Sequence, residues 1–234
     1  MSLALSVIIP AVNEAVHLPR CLRVFAGNPH VQVIVADGGS RDDTCAIAQS
    51  FGAEVVHSAV RSRAAQMNAG AKKARHHWLY FVHADAVVPG TFQSDIAEAI
   101  QKGFASGCYR FRFDDNRGLR SINSWFTRFP WLTVRGGDQT LFISRDTFNT
   151  LGGFSEYYTI MEEYDFIRRL RDARLTFGIM PKEVIVSARK YETNSWLQVQ
   201  LANARAMWLF RQGRHPDEIR KIYRSMLTYR EESY

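Results

Sequence analysis

Ser6-Val-Ile-Ile-Pro-Ala-Val-Asn-Glu14, Val31-Gln-Val-Ile-Val-Ala-Asp37 and Leu79-Tyr-Phe-Val-His-Ala-Asp85 decide the fold. Each is an apolar run, rich in β-branched or aromatic residues, that ends in a carboxylate. Runs of this length, separated by helical patterns, read as buried parallel strands. In an open α/β sheet the ligand sits outside the carboxyl ends of the strands. Glu14, Asp37 and Asp85 are therefore expected to converge on one crevice. Three carboxylates in one crevice repel each other unless a cation or a set of donors balances them. A metal-bound nucleotide is one such partner.

The flanking segments continue the alternation. Leu18, Cys21, Leu22 and Phe25 recur at helical spacing. Ser40 with Asp43 three residues later resembles a capping box. It would open a helix that carries Ala46, Ile47 and Phe51 and stops at Gly52. A short strand over Glu54–Val56 follows, then a helix over Arg63–Arg75, then a strand over Trp78–His83. Such βαβα order predicts a mainly parallel central sheet flanked by helices.

Further on, Ile96, Ile100 and Phe104 mark a helix. Residues 108–113 alternate, which predicts a strand with one basic face. The stretch 125–131 is rich in aromatic residues, 136–138 is a loop, and Thr140–Ser144 is strand-like. Gly152-Gly153 is a turn before a helix near Glu162–Asp172. Leu175–Met180 and Glu183–Ser187 are expected as two closing strands. In the tail Leu197, Leu201, Ala204 and Trp208 share a helical face, and Gly213 ends that helix. Pro216 starts a second, with Ile219, Ile222, Tyr223 and Met226. The expected division is an α/β domain over 4–190 and a helical C-terminal extension over 191–234 packed on it. The competing expectation for the tail is a membrane-surface or dimer contact through Trp196, Trp208 and Phe210.

The 234 residues suit one large α/β domain with a short extension, and 46% hydrophobic residues support a packed core. The net charge of +7 suits an anionic small molecule, an acidic membrane surface or nucleic acid. Nucleic acid is set aside because the arginines are dispersed and no recognised binding motif occurs. Cys21, Cys45 and Cys108 are odd in number, far apart and without metal-ligand spacing, which suggests a reducing compartment. The expected location is the cytoplasm, with a peripheral place at the inner membrane face as the alternative. No apolar run approaches the ~20 residues of a membrane span, and no signal peptide precedes the first strand.

Two motifs carry chemistry. In Asp37-Gly-Gly-Ser40 the glycines let a ligand approach the backbone, and an anion could use the following helix N-terminus. A tight strand-to-helix turn is the bland alternative. Neither a dinucleotide fingerprint nor a Walker lysine accompanies it. Asp85 follows an apolar run directly, and a carboxylate there is costly if buried and unpaired. A hard divalent ion with phosphate oxygens is a suitable partner.

Together these segments resemble glycosyltransferase family two and its nucleotide-sugar-binding GT-A fold. The matching residues are 7–10 with Asn13-Glu14, then 35–40 with Asp43-Thr44, then Arg63-Ala-Ala-Gln-Met-Asn68-Ala-Gly70. His83-Ala-Asp85 occupies the place of the family's Asp-x-Asp. Gly152-Gly-Phe154 followed by Glu162-Glu163 and Asp165 resembles its acceptor and base segment. Gly137-Asp138-Gln139 and residues 187–191 are similar to a subgroup of small bacterial members, some named for arsenosugar biosynthesis.

The resemblance implies an inverting, metal-dependent transferase acting on a nucleotide-diphospho-sugar, UDP-linked by family frequency, and an acceptor hydroxyl of unspecified identity. Pro10, Asn13, Glu14, Asp37, Gly38, Arg63, Asn68, His83 and Arg189 would line the sugar-nucleotide site. Asp37 would hydrogen-bond the base, and Arg189 would face the diphosphate. Asp85 would hold Mg²⁺ or Mn²⁺. Glu163 would be the general base, with Glu162 and Asp165 as alternatives. His83 replaces the first carboxylate of Asp-x-Asp, and as a neutral imidazole it could instead bond the ribose or pack in the core. Two rivals are a nucleotidylyltransferase, which would want a Gly-rich basic loop where residues 10–14 offer none, and a non-catalytic nucleotide-binding module. A homo-oligomer is a further alternative.

Overall fold

The computed structural model describes residues 2–135 and 139–228. The loop expected at 136–138, including Gly137 and Asp138 of the family-like segment, lies outside them, as does the end of the tail.

Strand β1 (Leu5–Ala11) is buried along its whole length. Its side chains alternate between two cores, so both faces must be covered. Leu5, Val7 and Ile9 join the cluster of Leu18, Cys21, Leu22 and Phe25, around helix α1 (Leu18–Leu22). Ile8 joins the opposite cluster. Next come β2 (Val31–Asp37), α2 (Thr44–Ser50), β3 (Glu54–His57), α3 (Arg63–Lys73) and β4 (Trp78–Phe81). They are followed by α4 (Phe92–Gln101), β5 (Ser106–Phe113), α5 (Arg120–Phe126), β6 (Leu141–Ser144), α6 (Arg145–Thr150) and α7 (Glu162–Asp172). The chain continues through β7 (Phe177–Val186), α8 (Lys190–Thr193), α9 (Trp196–Arg211) and α10 (Pro216–Ser225).

The sheet order is β3-β2-β1-β4-β6-β5-β7. β1 is parallel to β2 and β4, and β2 is parallel to β3. β6 is antiparallel to both β4 and β5, and β5 is parallel to β7. Two reversals restore direction, so β5 and β7 point the same way as β1. The carboxyl ends of β1, β2, β4, β5 and β7 thus share one rim with the start of β6.

Several boundaries differ from the sequence expectations. The third acidic-ended strand stops at Phe81, and the Ala86 N–H donates to the His83 carbonyl, so Asp85 lies inside a turn. The two closing strands are one, β7. Its pairing with β5 passes from Met180 to Glu183, which skips Pro181 and Lys182. Proline has no N–H for the ladder, so a bulge on this edge strand accommodates it. The expected capping box is absent. Ser40 Oγ instead accepts from the Asn13 N–H, and α2 starts at Thr44 with no side-chain cap from Asp43.

The tail uses the other face of α9. Leu197, Leu201 and Trp208 are exposed, and so is Ala204. Ala206, Met207, Leu209 and Phe210 are buried with Ile219 of α10 against Met161. Phe210 is therefore core, which removes it from the expected surface trio. Trp196 is half-buried, and its indole N–H donates to Asn123 Oδ1 at 3.1 Å.

Candidate functional site

Pro10 stands near the end of a central strand, where a missing N–H could cost a ladder bond. The Ile8 carbonyl accepts from Val82, and the Ala11 carbonyl accepts from Gly38. By alternation Pro10 faces the β4 side. The last β1–β4 partners are Ile8 and Phe81, so Pro10 lies beyond them and loses nothing. The strand can thus run on and deliver Asn13 and Glu14 to the rim.

A net of side chains shapes that rim. Asn13 adopts φ 54°, a left-handed conformation that asparagine tolerates. Its Oδ1 accepts from the Arg41 N–H at 2.9 Å. The Glu14 N–H donates to Thr44 Oγ1 at 2.8 Å. Gln66, which sequence reasoning passed over, is buried beneath the turn and donates to the carbonyls of Ala11 and Ala36, each at 2.8 Å. Gly38 is required by packing: a Cβ there would stand 2.7 Å from Val12 Cγ2 and 2.9 Å from Gln66. Gly39 has open space instead, with φ +92°.

Asp37 is 2% exposed at the end of β2. Its carboxylate accepts from the N–H groups of Gly39 and Ser40 at 3.0 Å and lies 3.2 Å from His57 Nδ1. These hydrogen bonds outweigh burial and hold its pKa below the ordinary value. Cys45 joins Asp37 and His57 in a group whose ligand-type atoms lie within 4.8 Å of one another. Spacing along the chain sets Cys45 aside as a ligand and gives no signal for His57; the fold brings both to Asp37.

Glu14 and Asp85 share a cation from the protein itself. Arg189 donates to both Glu14 oxygens, at 3.0 and 2.7 Å, and lies 3.3 Å from Asp85 Oδ2. The sulfur of Cys21 lies behind them, and burial, then Asp85 and Glu14, push its thiol pKa far up. The expected repulsion among three carboxylates is thus met in two ways: Arg189 balances two of them, and N–H donors balance Asp37. On its other side Arg189 borders a polar cleft of about 400 Å³, lined also by Asp114, Asp115, Arg120 and Tyr191. That volume is in the range of small-ligand sites.

The acidic turn that opens α7 faces the same region. Met161, with φ 71°, sets the entry. Glu162 is buried, with Arg63 Nη1 3.4 Å away. Burial raises its pKa, Arg63 partly offsets that, and Glu163 adds to it. Glu163 Oε1 lies 3.0 Å from His83 Nε2, and both side chains are partly exposed. Behind this pair is a small apolar cavity lined by Met67, Phe81, Leu141, Phe154 and Ile167. Asp165 turns away and accepts from Arg168 at 2.7 Å and Arg169 at 2.8 Å. Asn68 spends its amide on the Phe154 backbone and on Glu156, so it anchors the segment leading to α7.

A hard divalent ion prefers oxygen ligands. Asp85 supplies one carboxylate at a spot that already attracts a guanidinium, which fits a cation in charge and donor type. Among the described residues only Asp37, Cys45 and His57 form a group of three candidate ligands. At Asp85 most of the coordination would have to come from a ligand's own oxygens.

The family model described as glycosyl transferase family 2 matches residues 6–167. A PGL/p-HBAD biosynthesis glycosyltransferase of Mycobacterium tuberculosis is 26% identical over 179 residues, covering 69% of this chain and 67% of that protein. The fold is similar to that of the mannosyltransferase PcManGT from Pyrobaculum calidifontis, solved with GDP-Man and Mn²⁺. The TM-score is 0.68 at 16% identity, over 96% of this chain and 69% of that one. It is also similar to S. aureus TarS 1-349, with TM-score 0.64 at 15% identity, over 86% of this chain. The chain spans 64% of that TarS chain, just under two thirds. These likenesses show the GT-A fold expected from the sequence.

Proposed function

The chain belongs to glycosyl transferase family 2, and we propose that it moves a sugar from a nucleotide-diphospho-sugar, UDP-linked, to an acceptor hydroxyl with inversion at the anomeric carbon. Support comes from one arrangement: Glu14, Asp85 and Arg189 meet at the carboxyl ends of β1 and β4, and Glu163 stands by with His83.

Arg189 is the anion ligand of this reading. An entering diphosphate competes with Glu14 and Asp85 for its N–H groups, and guanidinium geometry matches phosphate oxygens in pairs. Asp85 would hold Mg²⁺ or Mn²⁺, which supplies charge to offset the departing diphosphate. Asp37 and the Gly38 turn take the nucleoside. Glu163 accepts the proton of the acceptor hydroxyl, whose oxygen bonds to the anomeric carbon as the bond to the diphosphate oxygen breaks. His83 orients Glu163 through their 3.0 Å contact.

The test is UDP release from UDP-sugars with Mn²⁺, run beside UDP calorimetry. Glu163→Gln keeps size and hydrogen bonding but removes basicity. It should lower turnover roughly 10²-fold or more while UDP affinity holds. Full turnover in that variant dismisses Glu163 as the base. Binding without turnover on any nucleotide sugar would leave a nucleotide-binding module instead.

A further inference from the structure

The segment between β5 and β6 carries large apolar side chains that the fold leaves in water. Trp125 is 48% and Trp131 52% exposed, beside exposed Leu119 and Ile122. The rings do not collapse inward. Phe129 stacks on Trp131 at 4.8 Å and meets Trp125 at 4.9 Å. Arg135, fully buried, donates to the carbonyls of Thr127 and Phe129 and so holds this turn from behind. Arg128 lies 5.3 Å over the Trp125 ring.

A second exposed stripe adjoins it. Trp196 bonds Asn123 and so holds the start of α9 against α5. From there Leu197, Leu201 and Trp208 run along the open face of α9, with Arg205 4.4 Å over the Trp208 ring. The sixteen residues of α9 include no acidic side chain. Tryptophan, leucine and arginine on one face, without acids, match the boundary between acyl chains and anionic headgroups. The first patch springs from the carboxyl end of β5, on the rim that bears Glu14 and Asp85.

We propose that Leu119, Ile122, Trp125 and Trp131, continued by Leu197 and Leu201, dock this protein on an anionic lipid bilayer. The docking stands independently of any sugar transfer. A second copy of the chain is the competing occupant, but it would bring arginine to arginine across a face that lacks acids on α9.

The experiment is co-sedimentation of the full chain with vesicles of phosphatidylcholine alone and with added phosphatidylglycerol. The wild type should bind only the anionic vesicles, and less as salt rises and screens the arginines. A Trp125→Ser, Trp131→Ser variant should lose roughly tenfold or more of that binding at unchanged melting temperature. Because aromatic loss could disturb the turn, Leu197→Glu with Leu201→Glu offers an independent variant on α9, with the same loss expected. Absence of wild-type binding to anionic vesicles overturns the proposal, as does binding at the wild-type level by both variants. Sedimentation equilibrium without lipid completes the test. A wild-type dimer that both variants dissolve would assign the face to a second copy and overturn the bilayer.

Discussion

Glu162 and Glu163 are neighbours in the chain, yet a single step along the helix sends them to different partners. A step of about a hundred degrees places Glu162 on the buried side, toward Arg63, and Glu163 toward His83. Burial lifts the Glu162 pKa, so the folded state holds its proton more tightly than the unfolded chain does. That stabilisation is fully present below the unfolded value, about 4.3. It is lost as pH rises through the lifted folded value. Glu162→Gln cannot lose a proton. Its melting temperature relative to wild type should therefore improve as pH rises from about 4 through the lifted folded value, and level off above it. A difference that stays flat with pH would mean that Arg63 fully compensates the buried charge.

Strand β5 shows how an element can depend on one absent side chain. Gly107 lies where the antiparallel β6 and the parallel β7 flank the same strand. A Cβ there would stand 2.5 Å from the Gly178 carbonyl oxygen and 2.6 Å from Phe142 Cε1. Alanine would gain a little in strand propensity over glycine, within a scale of about 1 kcal/mol. The clash is with backbone, which cannot swing aside, and overpacking of this kind costs about 3 kcal/mol. The clash wins. Gly107→Ala should lower the melting temperature by roughly 6–12 °C. A variant that melts with the wild type would show that β5 and β7 can part without loss. The same junction delivers Asp114 and Arg189 to the polar cleft, so its spacing sets that cleft's shape.

At the scale of the whole molecule, the tail and the acidic turn are one packing unit. Met207, Leu209 and Phe210 of α9 and Ile219 of α10 bury Met161, with Tyr158, Ile160 and Tyr164 around them. Met161 is the left-handed residue that sets the entry to Glu162 and Glu163. Removing residues 194–234 should therefore lower the melting temperature and reduce turnover together. Each large apolar side chain buried here contributes about 1.5–3 kcal/mol. A truncated protein that melts unchanged would separate the tail from the domain, contrary to this contact. The two α9 faces differ: the buried one holds the entry to α7, and the other is exposed.

What the sequence determined by itself is the parallel half of the sheet and its rim. Apolar runs such as 31–37 have one stable use, burial on both faces, and their terminal carboxylates mark the carboxyl ends. The parallel direction of β1 to β4 and the rim positions of Glu14, Asp37 and Asp85 were legible for that reason. The amphipathic pattern of α7 likewise placed Glu162 inward and Glu163 outward, because helical period is a local property. Tertiary structure alone decided which cation meets Glu14, since Arg189 is 175 positions away along the chain. It also decided the face of α9. Leu197, Leu201 and Trp208 make as plausible an apolar stripe as the buried one, and only the surface offered by Met161 and Tyr158 selects between them. Periodicity names the faces of a helix. Which face is buried depends on the shape of what it meets, and that shape comes from residues distant in the chain.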